Sequence, residues 1–243
     1  MNKLTLMICP HDTAKKPDRW FRFIQYLNNQ LDVNVHVHIE VSLDFEDFHQ
    51  HLDQADIVYA NPADSIHLRE QGFSAVVRPL NLYDEVVYIA NQDIANPTLD
   101  LLDGKTLATV KSMLPSKVAL HSLKEKGIAP AQLLDKSSWL GVINSVSKNE
   151  APFGIVYKDT YQELSPNTKA MVNAFAESEE NVIFHSIYIS PNAMEHRSEL
   201  ERVLLEMNAT PAGKDVLQEL NIEGWCKTTS EEISTAKEIM MAA

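Results

Sequence analysis

Apolar residues fall along this chain in short unbroken runs that alternate with stretches spaced at three and four residues, the signature of buried strands followed by amphipathic helices. Leu4 to Cys9 reads as a first strand, and it enters a polar turn, Pro10-His11-Asp12-Thr13-Ala14. From near Pro17 the residues Trp20, Phe23, Ile24, Leu27 and Leu31 share one helical face. Val33 to Val41 then alternates as a strand does, and Asp44 caps a short helix carrying Phe45, Phe48 and Leu52. The most informative run is Asp56-Ile-Val-Tyr-Ala-Asn-Pro-Ala-Asp-Ser-Ile-His67, a strand joined to a helix start. Asn61 is a good N-cap, Pro62 suits the first helical position, and Asp64 can reach back to the cap, so the spacing predicts a helix over Pro62 to Gln71, stopped by Gly72. A helix opening beyond a strand's carboxyl end presents unpaired N–H groups to an acceptor or anion.

Ala75 to Pro79 and Asp84 to Asn91 read as two more strands, after which the composition turns polar as far as Pro97. A second strand-loop-helix follows: Thr106 to Val110, the loop Lys111-Ser-Met-Leu-Pro-Ser116, and a helix stopped by Gly127. Helical spacing returns in Trp139 to Lys148, and strands are predicted at Phe153 to Tyr157 and Val182 to Ile189. The long strands Asp84–Asn91 and Val182–Ile189 bracket a central block. They divide the chain into one lobe of residues 1–90 plus 185–243 and a second lobe of residues 91–184. The remainder reads as helical, ending in a tail capped by Thr229 with Glu232 three residues on. Strands alternating with helices predict an α/β architecture with mainly parallel sheets.

A chain of 243 residues suits one large domain or two small ones. Its formal charge of -13 opposes a phosphate backbone or an anionic bilayer, which argues against nucleic acid as a partner. No apolar run is long enough to cross a membrane, so membrane insertion is not expected. The reading is cytoplasmic for the sequence as written and periplasmic if a leader has been trimmed. Cys9 and Cys226 show no metal-ligand spacing and read as small packed hydrophobes. His36, His38 and Glu40 share a strand face at a spacing that a metal uses, but solvated edge polars explain them more simply. With seven glycines and no Gly-rich phosphate loop, neither cofactor nor metal is expected.

His11-Asp-Thr-Ala-Lys15 after the first strand, the run from Asp56 to Ser65, Leu99-Asp-Leu-Leu-Asp-Gly-Lys105 and the two bracketing strands together resemble the substrate-binding proteins of phosphate, phosphite and phosphonate ABC transporters. The likeness covers most of the chain and lies in the order of the motifs. It implies a type 2 periplasmic-binding-protein fold: α/β, two-lobed, with two crossover strands and lobes that close over a small polar, anionic solute. Two positions depart from the family pattern. Its Ser/Thr-Ser-Gly turn is replaced by Lys111–Ser116 without the glycine, and its Ser-His pair by Ser137-Ser138-Trp139.

The resemblance implies first-lobe contacts from His11, Asp12, Thr13, Tyr59, Asn61, Asp64 and Ser65, and second-lobe contacts from Ser112, Ser116, Trp139 and Tyr157. Asp12 and Asp64 repel an oxyanion unless paired, so either an amine-bearing ligand or a capping role is expected of them. The expected partners are a small-molecule ligand and an ABC permease or a signalling protein. The competing readings are an enzyme on the same fold, of menaquinone or thiamine-pyrimidine synthesis type, and a ligand-sensing module. For the enzyme, His11 beside Asp12 is the one well-placed acid–base pair, and no nucleophile-base-orienter set can be assembled, so a binding protein is expected.

Overall fold

The computed structural model describes residues 2–13, 17–42 and 44–242, without the side chains of Thr13, Met241 and Ala242. Ala14 and Lys15 of the first motif therefore lie outside the described residues. The chain divides into two compact units, Met1–Leu82 with Phe184–Lys237, and Tyr83–Ile183 with Glu238–Ala243.

In the first unit the chain runs β1 (Asn2–Ile8), α1 (Pro10–Thr13), α2 (Asp18–Gln30), β2 (Val35–Glu40), α3 (Phe45–His51), β3 (Ile57–Ala60), α4 (Pro62–Glu70) and β4 (Ser74–Pro79). The second unit holds β5 (Val86–Ala90), β6 (Thr106–Thr109), α5 (Leu114–Glu125), β7 (Gln132–Asp135), α6 (Trp139–Ser147), β8 (Phe153–Tyr157), α7 (Lys158–Glu163), α8 (Pro166–Lys169) and β9 (Asn173–Glu177). The chain then returns to the first unit with β10 (Ser186–Ile189), α9 (Arg197–Leu205), α10 (Pro211–Leu220) and β11 (Trp225–Lys227), and ends in α11 (Ser230–Ala242).

The sheet of the first unit has the order β11-β4-β10-β3-β1-β2. β1 pairs in parallel with β2 and β3, while β10 enters antiparallel to both β3 and β4. β1 is apolar on both faces because both are covered. Leu4, Leu6 and Ile8 pack with Trp20, Phe23 and Leu27 of α2, and Met7 packs on the other side with Phe48, Leu52 and Tyr188. The sheet of the second unit has the order β7-β6-β8-β5-β9, again mixed rather than mainly parallel, because β5 is antiparallel to both of its neighbours. β5 alternates in the same way, with Val86, Tyr88 and Ala90 in one apolar cluster and Val87 and Ile89 in the other.

Two further expectations change. Because β5 hydrogen-bonds β8 and β9, residues 83–90 join the second unit, and the division falls after Leu82 rather than at residue 90. The strand predicted at Val182–Ile189 shrinks to Ser186–Ile189. Asn181 adopts a left-handed conformation (φ 55) with its N–H donating to Glu85 Oε1 at 2.8 Å, and Ile183 O accepts from Asp84 N–H at 2.7 Å, so this segment is tied to the start of β5 instead of extending the ladder. Three short strands, β7, β9 and β11, were not expected, and all three lie at sheet edges, where patterning is weakest.

Gly154 in β8 shows how closely α6 sits on its sheet: an added Cβ meets Val142 Cγ1 and Val146 Cγ2 at 2.9 Å each and Ile89 Cγ1 at 3.1 Å. Gly154→Ala is therefore expected to destabilise the protein by about 1–3 kcal/mol in urea denaturation, the usual cost of overpacking. Gly104→Ala serves as the contrast. Its Cβ meets nothing within 4 Å, so its cost comes from the positive φ of 66° alone.

Candidate functional site

In the first unit the strand register decides which polar residues meet. Ile8 lies opposite Tyr59 in the parallel β1–β3 pair, and Cys9 N–H extends that ladder by donating to Tyr59 O at 2.9 Å. On the other side of β3, Ser186 at the start of antiparallel β10 lies opposite Ala60. The carboxyl ends of β1 and β3 and the amino end of β10 thus share one edge of the sheet, which brings together Cys9, Asn61 and His185. Cys9 Sγ accepts from Asn61 Nδ2 at 3.6 Å. The His185 ring stacks on Tyr59 with centroids 5.2 Å apart, and His11, in the single turn α1, meets the Phe45 ring edge-on at 4.9 Å.

Asp12 lies beside this group. Its Oδ1 accepts from Arg19 at 3.0 Å, its Oδ2 is 3.8 Å from His185 Nε2, and Arg19 also donates to its carbonyl at 3.1 Å. Burial works to raise the Cys9 thiol, but hydrogen bonds with His11 and His185 outweigh it and hold Cys9 below the ordinary thiol value.

The α4 opening is closed by its own side chains. Asn61 Oδ1 accepts from Ala63 N–H at 2.8 Å and Asp64 N–H at 3.0 Å, and Ser65 turns its hydroxyl back onto Asn61 O at 2.8 Å. Asp64 takes the Asn61 amide on Oδ2 at 2.7 Å and meets His49 Nε2 on Oδ1 at 2.8 Å. Asn61, Asp64 and Ser65 thus form a capping network. The donors that the sequence suggested for a ligand here already have partners within the helix.

In the second unit, β6 leads into the turn before α5. Lys111 N–H donates to Asp135 Oδ1 at 3.0 Å, Ser112 is exposed, and the N-cap position falls on Met113, which supplies no side-chain cap. Ser116 is fully buried, its hydroxyl 2.7 Å from that of Thr109, so it braces the turn from beneath. At α6, Ser138 caps the helix through Gly141 N–H at 3.1 Å, and the half-buried Trp139 ring lies 6.4 Å from that of Tyr157. Tyr157 Oη is 2.9 Å from Asp84 Oδ1 and 3.1 Å from Asp159 Oδ2. Burial first, and these two carboxylates next, push its phenol far above the ordinary tyrosine value.

Of the residues expected at a site, the first unit brings His11, Asp12, Tyr59, Asn61 and Asp64 into one region, and the second brings Trp139 and Tyr157 together, with Ser112 and Ser116 on one turn. The Thr13 side chain lies outside the described residues. Sequence reasoning passed over Cys9 and His185. Cys9 looked like a packed thiol, and His185 lay inside a predicted strand; the one available signal was the position of Cys9 at the end of a strand that carries His11 two residues on.

A family profile described as ABC transporter, phosphonate, periplasmic substrate-binding protein matches residues 7–233. The chain belongs to this family. As a member of the phosphonate substrate-binding family it is a solute-binding protein, and solved structures share its fold at low sequence identity. PhnD1 from Prochlorococcus marinus, in complex with methylphosphonate, superposes with a TM-score of 0.72 at 15% identity, covering 99% of this chain and 97% of that one. XAC2383 from Xanthomonas citri, bound to chloride ion, gives 0.70 at 17% identity over 98% and 96%. The periplasmic aliphatic sulphonate binding protein SsuA from Escherichia coli gives 0.66 at 11% identity over 99% and 79%. No curated protein matches the sequence. Among the described residues no helix is long and apolar enough to cross a membrane.

The raised Tyr157 value has a thermodynamic consequence. The folded state keeps a phenol proton that the unfolded chain releases at about pH 10, so stability is lost as the pH rises above that value. Thermal unfolding followed between about pH 9 and 11 is expected to show a falling midpoint, with a shallower fall in Tyr157→Phe; Tyr88 and Tyr188, also raised by burial, keep a residual slope.

Proposed function

We propose that this solute-binding protein captures a small oxyanion of the phosphonate type for delivery to an ABC permease, and that it carries out no chemistry on the solute. The observation that carries the reading is the family match across residues 7–233. The solutes bound in two of the structural relatives, methylphosphonate and chloride, are both anions. In the second unit, the turn before α5 supports an oxyanion contact. Ser112 offers an exposed hydroxyl, Lys111 and Lys117 add positive charge, and α5 begins without a side-chain cap over its first amides. Trp139 offers an apolar wall for the substituent of such a solute.

In the first unit, His11 is the exposed candidate for a solute contact. The two carboxylates that argued for an amine on the ligand are already engaged: Arg19 offsets the charge of Asp12, and Asp64 is held in the α4 cap by hydrogen bonds with Asn61 and His49. The enzyme reading, which rested on His11 beside Asp12 as an acid–base pair, loses support because the Asp12 carboxylate is engaged by Arg19. Asn61, Asp64, Ser65 and Ser116 act as scaffold for the contacts.

Calorimetric titration with methylphosphonate, 2-aminoethylphosphonate, inorganic phosphate and an alkanesulfonate tests the reading. Saturable one-site binding of a phosphonate is expected, with methylphosphonate at least as tight as its amino counterpart. Ser112→Ala is expected to weaken binding about tenfold, the loss of one hydrogen bond to a charged group. Folded protein that gives no heat with any of the four would overturn it.

A further inference from the structure

Cys9, His11 and His185 each offer a ligand atom, and these atoms all lie within 4.8 Å of one another. Among the described residues no other set of histidine, cysteine and carboxylate side chains converges in this way. We propose that the three form a mononuclear site for a borderline transition-metal ion of the zinc class; His11, the candidate solute contact of the first unit, is shared between the two readings.

The donor set selects the ion. One thiolate and two imidazoles suit zinc, cobalt or nickel and do not suit calcium or magnesium, which take oxygen ligands. With a metal–sulfur distance of about 2.3 Å and metal–nitrogen distances of about 2.0–2.1 Å, a tetrahedral ion needs its ligand atoms roughly 3.3–3.6 Å apart. The spacing here is within reach of that through small side-chain rotations. Neighbouring side chains pack against the three ligands, and one of them donates a hydrogen bond to the sulfur. Tyr59 stacks on the His185 ring, Phe45 abuts the His11 ring, Asp12 Oδ2 lies 3.8 Å from His185 Nε2, and Asn61 Nδ2 points at the Cys9 sulfur from 3.6 Å. Cys9 is fully buried while His11 is exposed, so the cluster meets the surface at His11. The same burial argues against a nucleophilic role for the sulfur, which has no open face toward a substrate. A doubly charged ion also balances a thiolate placed near the Asp12 carboxylate. When it binds, the Cys9 Sγ–H proton leaves to solvent and the sulfur lone pair forms the metal bond, with no change of oxidation state. Three protein ligands leave the fourth tetrahedral position to water or an added anion.

Cobalt(II) titration of chelator-treated full-length protein tests the proposal, because a thiolate ligand produces a charge-transfer band in the near ultraviolet that oxygen and nitrogen ligands do not. One equivalent is expected to saturate the band in the parent protein and in Cys226→Ser. Cys9→Ser is expected to abolish it, and His11→Gln, at an exposed position, to lower cobalt affinity at least about tenfold. The proposal is overturned if the folded parent protein shows no band, if the band survives Cys9→Ser or disappears in Cys226→Ser, or if His11→Gln binds cobalt as the parent does.

Discussion

The position of β3 between two strands of opposite direction is the constraint on which the first unit depends. β1 runs parallel to it and β10 antiparallel, so chain segments far apart in sequence end and begin at the same sheet edge. Had β10 run parallel, His185 would sit at the opposite end of the sheet from Cys9. The register is fixed by burial on both faces. Slipping β1 by one residue would exchange Leu4, Leu6 and Ile8 with Met7 between two differently shaped cores, and Trp20, Phe23 and Phe48 leave no room for that exchange. The polar cluster is therefore a consequence of apolar packing a few residues away.

Local signals proved legible wherever a short sequence motif alone satisfies the backbone. Asn61-Pro62 opens α4 with the expected cap, and Thr229 and Glu232 close the reciprocal box at α11, with Thr229 N–H on Glu232 Oε2 at 2.8 Å and Glu232 N–H on Thr229 Oγ1 at 3.2 Å. The apolar face of α2 was legible for the same reason, since its period is set within one element. The family likeness was legible in the order of such motifs along the chain.

What escaped was set by tertiary partners. The run Val182-Ile-Phe184 is apolar enough for a strand, but Glu85, buried at the start of the second unit, collects Asn181 N–H and the Ser178 hydroxyl and diverts the chain. The α4 opening looked like a ligand cradle because its cap residues are polar; what the sequence did not place is His49 of α3, which takes the second oxygen of Asp64. Cys9 looked inert because a thiol's character depends on neighbours that sequence does not place, here two imidazoles from separate segments.

The polar cluster of the first unit requires Cys9, Tyr59 and His185 to meet at one sheet edge. Nuclear Overhauser contacts in solution measure this most directly. The His185 ring protons are predicted to show contacts with both the Tyr59 ring and the Cys9 Hβ protons, alongside the cross-strand contact of Ser186 with Ala60. A spectrum that keeps the Ser186–Ala60 contact while His185 meets neither Tyr59 nor Cys9 would contradict it.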